Sequence, residues 1–188
     1  MIEIHNISAI VTDIEGTTTS LSFVKDTLFP HARARLPAFV RAKENELGDI
    51  LNEVRRIENN DKLNTADIIA VFMRWMDEDK KITPLKLLQG MIWKEGYEKG
   101  ELQGHMYEDA VRALKYWRKM GLKLFVYSSG SVAAQKLLFS HTEGGDLTPV
   151  FSGYFDTTTG PKLEPESYKK IATEMKTKPE DILFIVKF

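Results

Sequence analysis

The segment Asp13-Ile14-Glu15-Gly16-Thr17-Thr18-Thr19 follows the apolar run Ile7-Ser8-Ala9-Ile10-Val11 after a single threonine, Thr12. Two acids one residue apart at the end of a buried strand point the same way, because strand side chains repeat every two residues. They would form one carboxylate pocket. Gly16 lets the backbone turn sharply and pass close to a ligand, and the three threonines add hydroxyls and amides just beyond it. Such a loop suits a metal-bound phosphate, although an ordinary acidic strand-to-loop turn is spelled the same way. Two further segments decide between these readings. Ser128-Ser129-Gly130 ends a second β-prone run and starts a helix, whose free amides favour an anion. A serine pair there could equally be a helix cap. Lys162, in Gly160-Pro161-Lys162-Leu163-Glu164-Pro165-Glu166-Ser167-Tyr168, sits in a loop fixed by glycine and proline. A lysine at the mouth of an acidic, phosphate-accepting cleft can offset phosphate charge and developing negative charge.

The elements that would position these residues alternate in type. Ile4 to Val11 reads as a buried strand ending at Asp13. From about Phe23 to Gly100 the pattern is helical, with breaks near Gly48, near Asn59-Asn60 and at Thr83-Pro84. The periodicity is clearest over Ala66–Met76, and Met73, Met76 and Met91 read as core fillers. Beyond Gly104 come a helix over Asp109–Met120 stopped by Gly121, a strand over Leu122–Tyr127, and a helix carrying Val132, Leu137, Leu138 and Phe139. A short strand at Tyr154-Phe155-Asp156, a helix over Pro165–Met175 and a last strand over Ile182–Val186 complete the order. Strands alternating with helices give a parallel sheet with right-handed crossovers. The fold class is therefore α/β, a Rossmann-like parallel-sheet core interrupted after its first strand by an all-helical insertion. In such sheets ligands collect at the carboxyl ends of the strands, where Asp13, Glu15, Ser128 and Ser129 fall.

Composition excludes several classes. The 188 residues carry 26 basic and 27 acidic side chains, so no strong field favours nucleic acid or an anionic membrane. With no cysteine there is no disulfide, thiolate nucleophile or zinc-thiolate site. Met1-Ile2-Glu3-Ile4-His5 lacks the basic segment and long apolar run of a signal peptide, and the expected location is cytoplasmic.

The order Asp-x-Glu-Gly-Thr-Thr, Tyr-Ser-Ser-Gly-Ser and Lys-x-Glu-x-Glu-Ser-Tyr resembles the haloacid-dehalogenase-like phosphohydrolases. Within them it is similar to the enolase-phosphatase (acireductone synthase) family of methionine salvage, with Glu15 where most relatives carry aspartate. The resemblance implies a catalytic core of residues 1–20 plus 105–188 and a helical cap of residues 21–104. It implies that Asp13 is the nucleophile that forms an aspartyl-phosphate, and that it also binds Mg²⁺. Glu15 would complete the acidic pair at the metal, protonate the leaving oxygen and then activate water. Ser128 and the Ser129 amide would hold the phosphate and Lys162 would stabilise its charge. The implied substrate is a small phosphorylated one, 2,3-diketo-5-methylthiopentyl-1-phosphate, which is enolised and then dephosphorylated to the dihydroxy-methylthiopentenone. The helical cap would exclude water and contact the methylthio tail.

In the family an aspartate that completes the magnesium site ends the last buried strand, and a further helix and strand follow. Here the register sets Lys187 in that place, and the sequence stops at Phe188. Two unit charges 4 Å apart interact by about 4 kcal/mol at an effective dielectric near 20, so a lysine turned inward would repel the cation. A shortened chain that only binds phosphate ligand, and another phosphohydrolase of the same superfamily, are the alternative readings. The family default is a monomer, and a last strand without its usual neighbours is expected to associate through its edge.

Overall fold

The computed structural model describes residues 6–186, and the strand placed first in the sequence is its centre. β1 (Ala9–Thr12) is buried at all four positions. It takes a parallel neighbour on each side, β2 (Lys123–Tyr127) and β4 (Ile182–Ile185), and β3 (Gly153–Phe155) adds to the far side of β2. The order is β3-β2-β1-β4, all parallel. Successive strands are added to one side of β1 as β2 and β3 and then to the other side as β4, and this switch makes its carboxyl end the place for a ligand. The expected start of the first strand, Met1 to His5, lies outside the described residues.

Parallel pairing demands crossovers, and three helices supply them: α5 (Glu108–Lys119) before β2, α6 (Val132–Ser140) between β2 and β3, and α7 (Pro165–Met175) between β3 and β4. The stop of α5 is chemical. Gly121 takes φ 87°, its amide donates to Arg118 O, and the Leu122 amide donates to Trp117 O, the paired bonds that close a helix on a left-handed glycine. Side chains then alternate between the two covered faces of the sheet. Ala9, Val11, Phe125, Tyr127 and Phe155 pack with Ile171 and Met175 of α7, while Ile182 and Phe184 of β4 join them half-buried. Burial on both faces is why these strands read as nearly continuous apolar runs.

The chain divides into two compact units, Met1–Val24 with Gln103–Phe188, and Lys25–Leu102. The second is helical: a π-helical turn over Phe23–Leu28 leads into α1 (Phe29–Ala42), followed by α2 (Gly48–Ile57), α3 (Thr65–Asp77) and α4 (Thr83–Glu98). Asn64 starts α3 with a reciprocal cap. Its Oδ1 accepts from the amides of Ala66 and Asp67 at 2.9 and 3.0 Å, and the Asp67 carboxylate accepts from the Asn64 amide at 3.0 Å. Ile68, Phe72 and Trp75 of α3 meet Leu36, Leu51 and Leu88 in the core of this unit, with Met73, Met76 and Met91 partly buried around it. α4 packs closely on α1 through Gly96, where a Cβ would lie 2.6 Å from His31 Nε2 and 2.9 Å from Leu102 Cδ1. No helix of the described residues is long and apolar enough to cross a membrane.

Candidate active site

Asp13 is the first residue past β1. Its amide donates to Ile185 O at 3.0 Å, so the sheet fixes its backbone, and the residue is 8% exposed. The strand ends at Thr12, so alternation along a strand does not set the direction of Glu15. The cause is a tight turn, in which the Ile14 carbonyl accepts from the amides of Thr17, Thr18 and Thr19 at 3.1, 2.9 and 3.1 Å. Gly16 permits it with φ 74°, and its amide closes back on Thr19 O at 2.7 Å. Glu15 is half-buried within this turn and bridges to Thr19. A cavity of about 460 Å³ opens between the turn and α5, lined by Gly16, Thr17, Thr18, Tyr107, Trp117 and Ile185. Asp13, Ser128 and Lys162 are not among its walls.

The end of β2 supplies the second group. Ser128 is 3% exposed, its amide donates to Phe155 O at 3.1 Å, and its Oγ accepts from the Gly130 amide at 3.3 Å. A hydroxyl that accepts from an amide keeps its own proton for an anion. The serine pair is not the helix cap. That role belongs to Ser131, whose Oγ accepts from the Ala134 amide at 3.3 Å. The start of α6 is thus less open than its sequence suggests, since the Val132 amide is also taken, by Asp156 Oδ2 at 3.0 Å. Ser129 is exposed beside it.

Lys162 brings the third. Its Nζ lies 2.6 Å from Asp13 Oδ1, the same oxygen that accepts from the Ile14 amide at 2.7 Å. Both bonds fall on one carboxylate oxygen, which leaves Oδ2 for other chemistry. The ammonium also stands 5.7 Å from the centre of the Tyr127 ring. Burial, then the neighbouring Tyr127 and Asp13, push the Tyr168 phenol above its ordinary pKa. Asp13 and Lys162, 149 positions apart by subtraction of their numbers, therefore meet as an ion pair, with Ser128 ending the adjacent strand.

Comparison with known proteins agrees with this architecture. The family model described as haloacid dehalogenase-like hydrolase matches residues 7–185. Enolase-phosphatase E1 of Methylococcus capsulatus is 54% identical over 95% of this chain and 80% of its own length. Enolase-phosphatase E1 of Thioalkalivibrio sulfidiphilus is 54% identical over 94% of this chain and 79% of its own. The chain belongs to the haloacid dehalogenase-like hydrolases, in their enolase-phosphatase branch. The crystal structure of the UTR4 protein of Saccharomyces cerevisiae superimposes with a TM-score of 0.81 at 35% identity, covering 95% of this chain and 80% of that one.

Two residues of this hydrolase fold support the strand ends without having been picked out from sequence. His105 Nδ1 lies 3.0 Å from Thr19 Oγ1 and accepts from the Ser20 amide at 3.3 Å, and the ring stacks on Phe23 with centroids 6.1 Å apart. Asp156, one residue past β3 and 8% exposed, accepts from Thr158 at both its amide (2.9 Å) and its hydroxyl (2.7 Å) while holding the start of α6. Its signal was its position, since Asp13 and Ser128 are likewise the first residues past their strands.

Among the described residues no group of three or more His, Asp and Glu side chains gathers around a point that could hold a metal ion. The acids on the turn after β1 are Asp13 and Glu15. That donor set suits Mg²⁺, which keeps several waters and commonly binds through one or two carboxylates plus phosphate oxygens. Lys187 lies outside the described residues.

Proposed function

We propose that this chain is a cytoplasmic, Mg²⁺-dependent enolase-phosphatase that converts 2,3-diketo-5-methylthiopentyl-1-phosphate to the dihydroxy-methylthiopentenone and phosphate. The observation that carries this reading is 54% identity, over 95% of the chain, to a protein named enolase-phosphatase E1. The ion pair of Asp13 with Lys162 beside Ser128 supports it chemically. In this reading residues 1–20 with 105–188 are the catalytic core and residues 21–104 the cap.

A carboxylate oxygen of Asp13 bonds to phosphorus as the bond from phosphorus to the ester oxygen breaks, giving an aspartyl-phosphate. Glu15 delivers a proton to that leaving oxygen. As carboxylate it then takes a proton from water, whose oxygen attacks phosphorus and returns Asp13 and inorganic phosphate. The Ser128 hydroxyl and the Ser129 amide hold the phosphate oxygens, and Lys162 offsets the charge that spreads over them. Mg²⁺, held by Asp13 and Glu15 with water completing its shell, would supply Lewis-acid polarisation of the diketone and the phosphate.

The test is phosphate release from the diketone phosphate in the presence of Mg²⁺. Asp13→Asn removes the attacking charge and is expected to abolish release. Release by the parent chain no faster than by Asp13→Asn would overturn the reading, and faster release from a different phosphate ester would reassign the substrate.

A further inference from the structure

Lys162 owes its place to its backbone, and that backbone is held in an unusual way. Three successive carbonyls each accept one side-chain hydroxyl at the same short distance. Tyr127 Oη donates to Gly160 O at 2.7 Å, Ser167 Oγ to Pro161 O at 2.7 Å, and Tyr168 Oη to Lys162 O at 2.7 Å. The last two span the same interval of six residues, because the first turn of α7 folds back over the loop that precedes it. Gly160 completes the fit. At φ 148° it adopts a conformation that side chains rarely take, and a Cβ there would lie 2.2 Å from Ser167 Oγ.

Two of the three donors are fully buried, and the third, Tyr168, is half-buried against aromatic rings. Tyr127 is 1% exposed and Ser167 2% exposed, and the Tyr127 and Tyr168 rings meet edge to face, 5.9 Å apart at 84°. Tyr168 also meets Phe184 of β4 at 5.3 Å and 86°, so strands β2 and β4 and helix α7 all bear on one loop. Burial holds the Tyr168 phenol above its ordinary pKa, so it donates at neutral pH. A lysine side chain is a flexible four-carbon stem, and much of its freedom must be lost for its ammonium to hold one point. Fixing the carbonyls on either side of its own residue, and setting the Tyr127 ring beside the ammonium, removes part of that freedom before substrate arrives.

We infer that Tyr127, Ser167 and Tyr168 form a hydroxyl clamp that positions Lys162 against Asp13. They are positioning residues that act through Lys162. The clamp rests on the reading of Lys162 as the charge-stabilising group, and the experiment separates the two. Tyr168→Phe deletes one hydroxyl and keeps the ring packing. It is expected to lower kcat about five- to tenfold with KM changed less than about twofold, the size of one lost hydrogen bond felt in the transition state. In a Lys162→Met background the same change is expected to alter kcat less than about twofold, because the residue it acts through is gone. A second readout is independent of turnover: with ¹⁵N-labelled lysine, the Lys162 ammonium held at Asp13 gives a resolved signal in the parent and loses it in Tyr168→Phe, at an unchanged melting temperature. If Lys162→Met lowers turnover strongly but measurably while Tyr168→Phe costs the same factor in both backgrounds, or the ammonium signal is untouched, the clamp is refuted and the role of Lys162 stands. If Lys162→Met turns over like the parent, that role falls and the clamp with it.

Discussion

At the scale of single residues, one histidine fixes the loop that follows Asp13. The Ser20 amide can only donate, so His105 Nδ1 accepts from it, and the Thr19 hydroxyl lies at hydrogen-bond distance from the same nitrogen. Removing that acceptor leaves a part-buried amide unpaired, which costs about 1–3 kcal/mol. His105→Ala is therefore expected to destabilise the fold by that amount and to lower turnover about tenfold. His105→Asn, which can return an acceptor near the place of Nδ1, is expected to recover most of both. Denaturant unfolding and steady-state kinetics on the two variants measure this, and equal behaviour of Ala and Asn would count against the acceptor role. The sequence shows why this residue stayed hidden while Asp13, Ser128 and Lys162 did not. Those three end strands or sit in a glycine-proline loop, which are local signals. Thr19 and His105 lie 86 positions apart, and no local pattern joins them.

At the scale of elements, the boundaries that side-chain chemistry dictates were readable. Pro165 begins α7 and Gly121 ends α5 because each has a backbone consequence at that point. The direction of Glu15 was not readable, since the alternation that applies inside β1 stops one residue before Asp13 and a turn takes over. The serine cap of α6 likewise fell to Ser131 rather than to the pair before it, because the helix begins later than the polar run does. Helix packing in the second unit gives a sharp test. Alanine is favoured over glycine in a helix interior by about 1 kcal/mol, so Gly96→Ala in α4 would stabilise an isolated helix. Here the added methyl would meet the His31 ring of α1 at 2.6 Å, and overpacking costs about 1–3 kcal/mol. A net loss of stability is expected in chemical denaturation. A gain would mean that the His31 ring moves aside freely.

At the scale of the whole molecule, the sheet of the described residues ends in two edge strands, β3 and β4. β1 is paired on both sides, whereas among the described residues β4 pairs with β1 alone and is half-exposed at all four positions. Unpaired strand edges recruit other strands, and 26 basic against 27 acidic side chains give little net repulsion between copies. Sedimentation over a range of concentrations is expected to show reversible self-association, and a sharp monomer at high concentration would count against it. The same strand bears on Asp13 through one bond. Because the Asp13 amide donates to Ile185 O, Asp13 is itself a rung of the β1–β4 ladder. Its proton can exchange with deuterium only when that rung opens. Deuterium uptake at this single amide, in a sample with no substrate present, thus becomes a clock for how often Asp13 comes loose from the sheet, and anything that covers the β4 edge should slow it.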